Sequence, residues 1–160
     1  MSTITFPLGP LLVARRARRD RTVREVKQRQ AVVQTREAER DAAQQRLSAA
    51  VDERAGQVKR LTAMLTSSSP TELTRAEQRI ALLAARAEQL REELTAAEER
   101  LAYARAQWRE AIVAFRQAQA KVDALREQES QWRTQQQRDA QRNEDKLVED
   151  LSVHRYAASR

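Results

Sequence analysis

Few residues of this 160-residue chain have types and spacing that suit chemistry. There is one histidine, His154, and no cysteine. That removes thiolate catalysis, disulfides and cysteine zinc sites, and a lone histidine does not make a zinc centre. The adjacent carboxylates Glu92/Glu93 and Glu98/Glu99 fall on a solvated helix surface. General acid–base work needs desolvation that such a surface lacks. No glycine-rich phosphate loop is present. The expectation is no catalytic residue, no cofactor, no metal and no small-molecule substrate.

The arginines near the start are different. Between Met1 and Gln30 lie Arg15, Arg16, Arg18, Arg19, Arg21, Arg24, Lys27 and Arg29, opposed only by Asp20 and Glu25. Most of the net charge of +7 therefore sits in one stretch. Such a patch favours an acidic partner, whether protein, nucleic acid or lipid surface. Three readings follow: a solvated helix end, phosphate contacts to nucleic acid, or an acidic socket on a protein. No aromatic interleaves Arg15 to Arg29, so base stacking is not indicated. The protein socket and the solvated end are favoured over nucleic acid. Arg15, Arg16, Arg18 and Arg19 are the candidate partner-binding residues.

The elements that must carry this patch are helices. Charged residues make up 33% and aromatics 4%, with only 2 Gly and 3 Pro, a composition of long helices or coiled coil. Stepping by three and four from Leu73 meets Ala76, Ile80, Leu83, Ala87, Leu90, Leu94, Ala97, Leu101, Ala104, Trp108, Ala111, Phe115, Ala118, Val122 and Leu125. No polar residue interrupts this 3.5-residue period, the signature of a left-handed coiled coil. The first half answers more weakly along Leu12, Arg16, Arg19, Val23, Val26, Gln30, Val33, Glu37, Arg40, Gln44, Leu47, Val51, Arg54, Val58, Leu61 and Leu65. Gln34 to Arg46 lacks large apolar residues, and Gly56 costs about 1 kcal/mol relative to Ala in a helix. The middle of the first helix should therefore be loosely held. Many seam residues of the second half are alanines. They bury little area compared with a fully buried Leu at roughly 1.5–3 kcal/mol, which predicts a modest melting temperature. Tyr103, Val113 and Val32 fall on outward positions.

Between the halves, Ser69 reads as an N-cap, Pro70 as the first helical residue and Glu72 as the third member of a capping box. So short a connection makes the helices antiparallel neighbours. The expected fold class is all-α: a two-helix antiparallel coiled-coil hairpin with a longer C-terminal helix. The expected organisation is a single domain with an irregular lead-in at 1–10, helix 1 at 11–66, a turn at 67–69 and helix 2 at 70–156. Pro7, Gly9 and Pro10 argue against a helix across the lead-in, although Pro10 suits a first turn. The hairpin register places Leu65 near Leu73, Val23 near Phe115 and Leu12 near Arg126. Helix lengths of roughly 85 and 130 Å leave an overhang of about 30 Gln-rich residues, with Trp132, Leu147 and Leu151 its large apolar residues before Tyr156. No apolar run spans a bilayer, and the charges follow the first apolar residues rather than precede them, which predicts a soluble chain, and the lack of cysteine suits a reducing cytoplasm.

Several features resemble one family. A short apolar lead-in runs into a basic helix, Leu8-Gly9-Pro10-Leu11-Leu12-Val13-Ala14-Arg15-Arg16-Ala17-Arg18-Arg19. The turn comes before mid-chain. The end is charged, Asn143-Glu144-Asp145-Lys146-Leu147-Val148-Glu149-Asp150-Leu151-Ser152-Val153-His154-Arg155. This layout is similar to the central stalk proteins of type III secretion systems and their flagellar export counterparts, the YscO/FliJ-like (SctO) family, and the tail looks more like the secretion branch. The resemblance implies a non-enzymatic stalk at the cytoplasmic face of the inner-membrane export apparatus. Its partners would be a hexameric secretion ATPase, the cytoplasmic ring of the export gate and export chaperones. The rival readings are a structural coiled-coil scaffold and an arginine-rich nucleic-acid binder.

Overall fold

A computed structural model describes residues 5–66 and 68–158, with side chains as far as Ser152. Two helices make up the fold: α1, Gly9–Met64, and α2, Pro70–Ala158. They pack as an all-α antiparallel hairpin, with no strand among the described residues.

Helix α1 starts two residues earlier than its prolines and glycine suggest. The Gly9 amide donates to the Phe6 carbonyl at 3.0 Å, and Leu12 closes the first α-helical bond onto Leu8 at 2.9 Å. Pro10 falls inside the first turn, where its missing N–H is not needed. At the other end Ser68 donates to the Met64 carbonyl at 3.1 Å. Ser69 then caps α2. Its backbone amide and hydroxyl donate to Glu72 Oε2 at 2.9 and 3.0 Å, and the Glu72 amide reaches back toward Ser69 Oγ at 3.4 Å. These bonds hold the Glu72 carboxyl below its usual range, the backbone amide of Ser69 contributing most.

The chain forms two compact units. The unit Glu25–Ile112 contains the turn and most of the seam. Its helices run antiparallel, because Arg105 reaches Glu37 at 2.7 Å and Arg46 reaches Glu93 at 3.1 Å. Val33, Leu101 and Ala104 are buried together with Trp108 packed on them. The Trp108 indole N–H finds no acceptor among the described residues. The other unit combines the segments Met1–Arg24 and Val113–Arg160. Here Arg19 meets Gln119 and Phe6 meets Trp132, the register that sets Val23 beside Phe115 and Leu12 beside Arg126. Val122 is fully buried and Leu12 nearly so.

None of the sixteen α2 seam positions from Leu73 to Leu125 is exposed. In α1 six of the eight alternate seam positions fall one residue earlier than the apolar pattern suggests, and at Val23 and Glu37 the residue itself and the one before it are both half-buried. Arg15, Arg29, Ala43, Ala50, Gln57 and Met64 turn inward, while Arg16, Gln30, Gln44, Val51, Val58 and Leu65 are exposed. This phase keeps the amides of Gln30 and Gln44 in water and lets arginine stems lie along the seam with their heads outside. Arg29 does this by donating to Gln107. Gln34 to Arg46 is consequently better covered than its composition suggests, with Ala43 only 2% exposed. The sparse stretch is Val51 to Arg60 instead, where Gln57 alone is half-buried.

A candidate partner-binding surface

The arginine cluster lies on α1 in the unit that also holds Val113 onward, and it does not act as four equivalent charges. Arg19 turns across the seam. Its Nη1 donates to Gln119 Oε1 at 3.1 Å and its Nε to Asp20 Oδ1 at 2.7 Å, leaving the side chain 25% exposed. Its backbone carbonyl also accepts from the Thr22 hydroxyl at 2.7 Å. Arg19 is thus committed to the hairpin itself.

Arg15 and Arg18 line a shallow groove with Thr22, Ala114, Gln117, Ala118 and Lys121. Arg16 is exposed nearby. Among the described residues no carboxylate lies within ion-pair distance of Arg15, Arg16, Arg18 or Lys121. The contrast with the other unit is physical. There cross-helix positions are oppositely charged, Arg46 with Glu93 and Glu53 with Arg79. Here Arg18 and Lys121 bring two cations to one groove. Like charges facing across a helix pair destabilise it modestly, and an anion placed between them reverses the sign. Small residues Ala114 and Ala118 floor the groove and leave room above them. Lys121 was not recognisable in the sequence as part of the cluster, because only the fold brings it to Arg18.

The lead-in is held on α2 by Phe6 and Trp132, whose ring centroids lie 5.7 Å apart with planes tilted by 58°. The uncovered part of α2 therefore begins later than helix lengths alone suggest. From Gln141 to Ser152 every side chain is exposed, including Leu147, Val148 and Leu151. Tyr103, Val113 and Val32 are exposed on their outward positions. The carboxylates Glu92, Glu93, Glu98 and Glu99 are all exposed, with Glu93 engaged by Arg46. The side chain of His154 lies outside the described residues. No group of His, Cys, Asp and Glu among the described residues is arranged to hold a metal, and no helix there is long and apolar enough to cross a membrane.

Comparison with known proteins agrees with this architecture. The profile of the family described as "Type III secretion protein YscO" matches residues 8–154, and the chain belongs to that family. It is a type III secretion protein of the YscO kind. Its fold is similar to the solved structure of a candidate YscO homologue, CT670, from Chlamydia trachomatis. That match has a TM-score of 0.84 and 15% identity over 99% of each chain. At that identity the likeness concerns the fold. No curated protein matches the chain.

Proposed function

We propose that this chain is a non-enzymatic central stalk of a type III secretion system, linking the hexameric export ATPase to the cytoplasmic ring of the export gate and assisting protein export. It would work in the cytoplasm, at the inner-membrane export apparatus, with export chaperones as further partners. Membership of the YscO family supports a place in the secretion machinery.

The observation that carries the ATPase contact is the cationic groove. Arg15, Arg18 and Lys121 line it from both helices, and Arg16 lies exposed beside it. Cations with no carboxylate partner among the described residues, gathered over a small-residue floor, suit a carboxylate-bearing surface, and they raise the on-rate for it. The turn capped by Ser69 and Glu72 would face the gate. Arg19, held by Gln119 and Asp20, would keep the hairpin closed beneath the contact.

The test is turnover and oligomerisation of a purified secretion ATPase with and without the chain. Stimulation that weakens as salt rises supports the proposal. Absence of any effect on the ATPase, together with salt-sensitive binding to arbitrary DNA, would move the arginines to the nucleic-acid reading.

A further inference from the structure

Two edges flank the seam in the unit Glu25–Ile112, and they differ in character. One is closed by ion pairs, Arg46–Glu93 at 3.1 Å and Arg79–Glu53 at 3.8 Å. The other begins in the same way, with Arg105 on Glu37 at 2.7 Å. Two heptads along α1 from Glu37 comes Val51, and Val58 and Leu65 follow at the same repeat. They are 40%, 42% and 60% exposed. Two heptads back along α2 from Arg105 comes Arg91, then Ala84 and Glu77. By that heptad count the edge carries Val51, Val58 and Leu65 on α1 and, in the opposite order, Arg91, Ala84 and Glu77 on α2.

Apolar residues repeating every seven positions form the pattern of a helix seam rather than of a solvated rim. We propose that a second copy of this chain docks antiparallel on this edge, with a two-fold axis passing by Val58 and Ala84. The order of the residues selects that occupant and that direction. Inversion about Val58 lays Val51 on the second copy's Leu65 and Val58 on its own counterpart. Inversion about Ala84 lays Arg91 on the second copy's Glu77, once in each direction. A parallel pairing would instead lay Val51 on Arg91 and Leu65 on Glu77, covering charges with apolar surface. The antiparallel contact is isologous and closes at two copies. Arg91 already holds Glu88 of its own helix, and the five donors of a guanidinium leave others free for a second carboxylate.

This inference needs only the chain itself, so its failure and the failure of the stalk reading are separable. The chain has no cysteine, so single cysteines can be introduced cleanly. Val58→Cys should form a disulfide-linked dimer under mild oxidation much faster than Leu82→Cys, which is exposed on a different face. Val51→Cys should link efficiently only when mixed with Leu65→Cys. Sedimentation of the full chain across a concentration series should show a monomer–dimer equilibrium. Val58→Glu should weaken it by about ten-fold or more, with helicity unchanged. Glu77→Arg and Arg91→Glu should each weaken it, and the two together should restore it. Equal linking rates at positions 58 and 82, a chain that stays monomeric throughout, or a double charge swap without rescue would overturn the proposal. So would a monomer whose stripe captures a helix of another protein.

Discussion

The ring of Phe6 lies 5.7 Å from that of Trp132, tilted by 58°, and this pair pins the lead-in to α2. Aromatic pairs of this geometry contribute about 0.5–1.5 kcal/mol beyond the area they bury. Phe6→Ala should therefore free Trp132 to water, shift tryptophan emission to the red and speed amide exchange near Leu12. A Trp108→Phe background makes Trp132 the only tryptophan reporter. Unchanged emission would mean that the pair does not hold in solution.

Val122 is fully buried and Val113 is half exposed, although both are valines on α2 in the same unit. Removing two methyl groups from a closed site costs transfer and cavity terms, about 2 kcal/mol, and nearly nothing at an open one. Val122→Ala should lower the thermal midpoint by several degrees, and Val113→Ala should leave it in place. Circular dichroism melts check both.

The phase of α1 predicts an asymmetry between neighbours. Ala43 is buried against α2, whereas Gln44 faces water. Ala43→Gln should destabilise the hairpin by forcing an amide into the seam. Gln44→Ala should be neutral or slightly stabilising, since Ala is the better helix former. The reverse order in denaturant melts would restore the phase that the apolar residues alone suggest.

That phase marks where the sequence stops being legible. The α2 seam could be read residue by residue because sixteen apolar positions repeat without interruption, and the capping box because Ser69, Pro70 and Glu72 stand at fixed offsets. Helix α1 misled because Val51, Val58 and Leu65 are apolar but sit one position off the seam. Of the arginines that read as interruptions, Arg16 and Arg54 are exposed and Arg19 turns across the seam to Gln119, while Arg15 and Arg29 take half-buried positions beside it. The candidate patch was legible only on α1. Its division of labour was not, because the commitment of Arg19 to Gln119 and the approach of Lys121 to Arg18 depend on contacts across one hundred residues of chain.

Glu72 gives a pH dependence with a defined sign. Its carboxylate accepts from the Ser69 amide and hydroxyl, which lowers its folded pKa. A lowered carboxyl pKa contributes stability that is complete above the ordinary glutamate range and is lost as the pH falls through the lowered value. The turn end should therefore loosen in acid, and Glu72→Gln should remove that acid dependence. Carboxyl NMR titration should place Glu72 below an ordinary glutamate, and Ser69→Ala should raise it. An ordinary midpoint in the unsubstituted chain would contradict the capping box. Ser69→Ala should also lower the melting midpoint by about 2–4 °C.

The most direct test of the central claim is equilibrium binding of the chain to its secretion ATPase as charges in the groove are reversed. Arg15→Glu, Arg18→Glu and Lys121→Glu combined should weaken binding by about ten-fold or more and flatten its salt dependence, with helicity retained. Arg19→Gln, which alters a contact inside the hairpin, should affect the melt more than the affinity. Binding that is unchanged by the triple reversal, or that depends on Arg19 alone, would contradict the account.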